Sequence, residues 1–192
     1  MSLITAAATV LLTAIPAATA QPPPVTMELF EEAARNNVKR LPPSAFKELP
    51  PNVLAELNRR RCTIPQPHGV PGLRNVIKGA FAKPGQTDWV VLCSVNLATS
   101  LLVFWDGADK PEQIGQSSRD IYFMSTGPKH IPIYERALAV VGREYIMEHY
   151  RQYGGPKPPP IDHDGIDDGH MGKASVVYYF YQGKWLRLQG AD

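Results

Sequence analysis

The run DWVVLCSV, residues 88 to 95, constrains the fold more tightly than any other stretch of the chain. Its apolar side chains occupy both parities of the β period, with Trp89, Val91 and Cys93 on one side and Val90 and Leu92 on the other. A strand that is apolar on both faces lies inside a sheet and needs packing layers above and below it. The neighbouring runs NVIKGAFA (75–82) and TSLLVFWD (99–106) are of the same kind and are separated from it by KPGQ and NLA, so the three predict an antiparallel meander.

Cys93 sits in the middle of that buried strand, and the chain holds one other cysteine, Cys62. Two cysteines in a chain destined for an oxidising compartment join most simply into one bridge. A link of this span adds about 3–4 kcal/mol in the chain-entropy picture. The N-terminus argues for that compartment. Residues 1–20, MSLITAAATVLLTAIPAATA, carry no ionisable side chain and end in Ala18-Thr19-Ala20, which is the pattern of an export signal peptide with its cleavage site. The expected mature chain starts at Gln21 with a stiff proline leader over 21–25 and continues as one α+β domain over 26–192. It has no later run long enough to span a bilayer, and its expected location is periplasmic or secreted.

Around the meander, the spacing predicts a helix from Thr26, whose apolar positions are Leu29, Phe30, Ala33, Ala34 and Val38, and a second helix over about 51–60. Residues 106–120 read as a polar excursion and 120–125 as a short edge strand. HIPIYERALAVVGREYIMEHYRQY (130–153) reads as one long helix, with Ile133, Ala137, Val140, Val141, Tyr145 and Ile146 along one side. The C-terminal KASVVYYFYQGKWLRLQ reads as two strands around a Gln182-Gly183 turn. The expected whole is α+β: N-terminal helices, an antiparallel sheet built from the meander and the C-terminal hairpin, and the long helix packed on it.

The net charge of +2 is dispersed apart from Arg59-Arg60-Arg61, and nothing in it points to nucleic acid. The chemistry-bearing stretch is IDHDGIDDGH (161–170). Asp and Gly form turns, and the plainest reading is a polar loop whose carboxylates cap backbone amides. A calcium reading uses Asp162, Asp164 and Asp168, because this hard ion takes several converging oxygens. A transition metal would instead draw on His163 and His170. Tyr178, Tyr179, Phe180 and Tyr181, with Trp185 across the turn, offer a stacking face for a protein or glycan partner. One side of such a strand is ordinarily core, either Tyr178 with Phe180 or Tyr179 with Tyr181, and the expected face is Tyr179, Tyr181 and Trp185.

The segment VIKGAFAKPGQTDWVVL resembles one strand–turn–strand unit of FG-GAP/VCBS-type repeats through Gly79, Phe81, Gly85 and Asp88. That family binds calcium with loop carboxylates, but here Ala82, Lys83 and Pro84 occupy the turn, so the resemblance implies the hairpin without its ion. The ending Asp164-Gly165-Ile166-Asp167-Asp168 is similar to the end of such a loop. The wider pattern CTIPQ…GQTDWVVLCS…LLVFW…KASVVYYF…GKW…GAD looks like a group of exported bacterial proteins with no assigned activity. The leading expectation is a noncatalytic exported binding module. The alternatives are a small metal-dependent hydrolase built on the 162–170 loop and an exported enzyme inhibitor.

Overall fold

The computed structural model describes residues 24–190. The expected export signal at 1–20 and leader residues 21–23 lie outside the described residues.

Helix α1 (Met27–Asn36) starts where Thr26 takes extended backbone and its hydroxyl accepts the Leu29 amide at 3.3 Å, an N-cap that satisfies one orphan donor. Ala33 and Ala34 bury against Met124 and Tyr134. After the short strand β1 (Arg40–Leu41), helix α2 (Pro51–Arg59) opens with proline in its first turn, where no amide partner is needed, and buries Val53 and Leu57. Arg59 and Arg60 fold back on Glu56, and their hydrogen bonds hold its carboxyl well down, at about 2. Two of the three consecutive arginines are therefore engaged within their own helix end.

Strand β2 (Ile64–Pro65) pairs with β1, and then two four-stranded antiparallel sheets follow. The first is β3 (Val76–Gly79), β4 (Asp88–Val95), β5 (Ala98–Phe104) and β6 (Glu112–Arg119), in that order. Strands β7 (Met124–Thr126) and β8 (Pro132–Tyr134) make a small hairpin that meets α1. The second sheet runs β9 (Arg136–Val141), β10 (Gly165–His170), β11 (Ala174–Tyr181) and β12 (Lys184–Gln189), with helix α3 (Arg143–Tyr153) between its first two strands.

The layers follow from the side-chain parities. Trp89, Val91, Cys93, Leu102 and Phe104 pack outward under α2 and the segment Phe46–Leu49. Val90, Leu92, Leu101, Val103 and Ile114 pack inward against Leu138 and Ile166 of the second sheet. The far side of the second sheet, through Val177, Tyr179 and Leu188, is covered by Ile146 of α3. The two-sided burial of β4 is thus met by a helical layer on one face and a second sheet on the other. The Cys62–Cys93 disulfide, with Cα atoms 5.0 Å apart, ties the end of the helical layer to the centre of β4.

The fold is α+β, and it departs from the expectation at four places. Meander and C-terminal hairpin belong to two facing sheets rather than one. Residues 106–120 contain strand β6, and the stretch 130–153 is helical only from Arg143. Its first half forms β8 and β9, because the backbone of Arg136–Val141 finds a full ladder of partners on β10, a tertiary pairing that overrides helical spacing. The 161–170 stretch likewise supplies β10, an interior strand.

Two buried polar groups join the parts. Asn75 donates to the carbonyls of Pro65 and Arg136 and accepts the Leu138 amide at 3.0 Å, which ties the edge of the second sheet to the first. Asp88 accepts four hydrogen bonds, from the amides of Phe81, Ala82 and Asp106 and from the Gln86 side chain. The aspartate after the glycine turn therefore closes its own hairpin.

Candidate functional site

The carboxylates and imidazoles of 161–170 go to separate partners. Asp162 lies 2.6 Å from His163 Nδ1, and this hydrogen bond lowers its pKa. His163 donates through Nε2 to the Phe180 carbonyl and stacks on Tyr179 at 4.4 Å, so both of its nitrogens are engaged. Asp164 accepts the Ala80 amide at 2.8 Å, and its own amide donates to the Ala80 carbonyl. Asp168 is held by Arg136 and His170 by Ser125. Among the described residues, no group of three or more His, Cys, Asp or Glu side chains is placed to hold a metal ion. The alternation of β10 explains the dispersal. Ile166, Asp168 and His170 face the first sheet, Asp167 faces α3, and Asp162 and Asp164 precede the strand.

The expected stacking face divides in the same way. Tyr179 is fully buried on the α3 side, and Tyr181, of the same parity, is exposed. Trp185 pairs with Phe180 in the register and points to the opposite side, toward the first sheet, in company with Tyr178 and Trp105. The three residues do not form one surface. The aromatic pair on the useful side is Tyr178 and Trp185.

These two line the main cleft, which has a volume of about 580 Å³ and lies between the sheets. One end of the interface is closed by aromatics. Trp105 and Trp185 stack at 5.6 Å, and both indole N–H groups donate to the Glu112 carboxylate, at 2.9 and 2.8 Å. Beyond that clamp the β5–β6 ladder slips between Thr99 and Leu101, and Gly115 takes a left-handed φ of 65°. A bulge of this kind bends and twists its strand, and the sheets part there.

Arg136 and Asp168 form part of the lining, joined by two hydrogen bonds of 2.8 and 2.7 Å and both largely buried. The guanidinium also lies 4.1 Å over the Phe123 ring, while its Nη1 makes no hydrogen bond. His170 is lowered in pKa, chiefly by burial and then by Lys173. Gln113, Gln116, Arg187 and Gln189 complete the wall with planar amide and guanidinium groups. A cleft of aromatic faces and planar polar forks suits a ligand that has both flat C–H surfaces and paired hydroxyl or carbonyl groups.

Reading the sequence brought out Asp168, His170 and Trp185, favoured Tyr179 and Tyr181 over Tyr178 for the aromatic face, and missed Arg136 and Glu112 as partners. Arg136 lay inside the stretch read as helix, and Glu112 inside a stretch read as loop. Their relation to the site exists only through strand pairing, which no local pattern announces. No family model, no curated protein and no solved structure matches the chain.

Proposed function

We propose that this chain is an exported, noncatalytic binding module whose inter-sheet cleft takes a glycan. The observation that supports this most is the pairing of Tyr178 and Trp185 with Gln113, Gln116, Arg187 and Gln189 around one open volume. Aromatic rings give a sugar ring a flat apolar face, and amide or guanidinium forks satisfy its vicinal hydroxyls. The buried Arg136–Asp168 pair in the same lining is fixed fork to fork by two hydrogen bonds, an arrangement that lowers the ordering required on binding. Export is supported by the 1–20 leader pattern together with the Cys62–Cys93 bridge, which suits an oxidising compartment.

Screening the refolded, oxidised protein on an oligosaccharide array, followed by calorimetric titration of the best ligand, tests the reading. Arg187→Ala and Gln116→Ala, both on exposed positions of the wall, should each weaken binding by roughly tenfold, or about 1.4 kcal/mol, while leaving the melting temperature unchanged. Absence of any saturable glycan, or binding indifferent to both substitutions, rejects it. N-terminal sequencing of material recovered from the export compartment checks the processing site before Gln21.

A further inference from the structure

A second hollow lies on the opposite face of the second sheet and does not depend on the glycan reading. Helix α3 packs on that face through Ile146, Met147 and Tyr150, over Val177, Tyr179 and Leu188. The other half of the face is built from β9 and β10, which present only Ala137, Ala139 and Gly169 around Asp167. Small side chains there leave an open volume of about 460 Å³.

Asp167 is the charged group at its floor. Its Oδ2 accepts the Tyr145 hydroxyl at 3.1 Å, Ser175 stands beside the carboxylate, and Oδ1, which is shielded from solvent, has no hydrogen-bond partner. A carboxylate has about four acceptor positions and is rarely left this underused when shielded from water. A Cβ on Gly169 would stand 3.7 Å from Oδ2, so Oδ2 is the oxygen beside the gap over this glycine. Tyr153 forms a side wall, and Lys173, from the β10–β11 turn, stands at the rim. Asp167 lies three residues before the end of β10, so it is separated from that turn by roughly 10 Å of strand. Acid and base therefore mark two ends of a hollow floored by alanine and glycine.

We infer that this hollow binds a small zwitterion, with a primary ammonium on Asp167, an anionic end toward Lys173 and a slim aliphatic body over Ala137, Ala139 and Gly169. The ammonium gives Oδ2 a further donor beside the Tyr145 hydroxyl, and the tyrosine wall favours the same charge. The adjacent carboxylate Asp168, on the other side of the strand, has no such vacancy because Arg136 occupies it.

The test is calorimetric and NMR titration of the full oxidised chain with straight-chain ω-amino acids from glycine to 6-aminohexanoate, with n-butylamine and butyrate as half-ligands. At least one zwitterion should bind saturably and about tenfold more tightly than either half-ligand. Asp167→Asn, an isosteric change, and Lys173→Met should each weaken it about tenfold. Ala139→Phe, which fills the hollow without touching a charge, should abolish it, and Arg187→Ala in the other cleft should have no effect. The inference is overturned if no member of the series binds saturably, if Asp167→Asn or Lys173→Met leaves affinity unchanged, or if Ala139→Phe still binds.

Discussion

Arg136 and Asp168 meet diagonally across the β9–β10 ladder: Asp168 stands opposite Leu138 in the register and Arg136 opposite His170, yet the two side chains close fork to fork. Both are more than nine-tenths buried. Asp168→Asn or Arg136→Met alone should cost roughly 3–5 kcal/mol, because each strands an uncompensated group. The double change Arg136→Met with Asp168→Leu should recover most of that loss. Urea unfolding of the three variants measures the difference, and a double variant no better than the singles contradicts the account.

The Cys62–Cys93 bridge spans 31 residues. Reduction, or the Cys62→Ala/Cys93→Ala pair, should lower unfolding free energy by about 3–4 kcal/mol. Denaturation with and without reductant reads this directly. Equal stability in both conditions would show that the layers hold together unaided.

Acid sensitivity should come from two buried imidazoles. Burial lowers the pKa of His149, whose Nδ1 has no partner, and of His170. A histidine held below its unfolded value of about 6.5 binds protons more readily in the unfolded chain. Its contribution is complete above that value and drains away as the pH falls below it. Thermal melts between about pH 7 and about pH 5 should show a falling midpoint, with a shallower slope for His149→Phe.

Asp167 has the opposite sign. Burial raises its pKa, so the folded chain holds that proton more firmly than the unfolded one, and this stabilisation is present at low pH and lost as the pH rises through the folded value. Asp167→Asn, which cannot ionise and can still accept from Tyr145, should melt higher than the parent at neutral pH. The gap should close as the pH falls toward about 4. A variant that is less stable at every pH would refute this.

Asp164→Ala should cost about 1–3 kcal/mol, because the part-buried Ala80 amide loses its acceptor. Asp162→Ala, with its carboxylate exposed, should cost less. Millimolar calcium should leave the melting temperature of the parent unchanged, since each carboxylate is directed to its own partner. A calcium-dependent rise that vanishes in Asp164→Ala would restore the ion-binding reading of this stretch.

Much of the architecture was readable from local pattern. The two-sided apolar run at 88–95, the Thr26 cap, the proline opening of α2 and the Gln182-Gly183 turn, whose two residues take φ of 48° and 76°, are short-range properties, and each appears where its residues require it. What failed was long-range. ALAVV at 137–141 has apolar positions that satisfy a helical spacing as well as a strand, and the β10 ladder decides between them. Conversely, GIDDGH has little strand preference of its own. It becomes an interior strand because Arg136 neutralises Asp168, and because Gly165 lets Ile146 and the Tyr178 carbonyl approach where a Cβ would sit 2.9 and 3.0 Å from them.

The amino-acid order alone determined that this chain has an α+β composition, a buried central strand and a cysteine pair suited to bridging. Those follow from the period of apolar side chains and the chemistry of single residues. Tertiary pairing alone decided that the strands divide into two facing sheets, that Asp167 and Asp168 look into different hollows, and that Tyr179 is core while Trp185 borders a cleft. The reason is geometric: on a strand, one residue of register inverts every side chain, and register is set by partners distant in sequence.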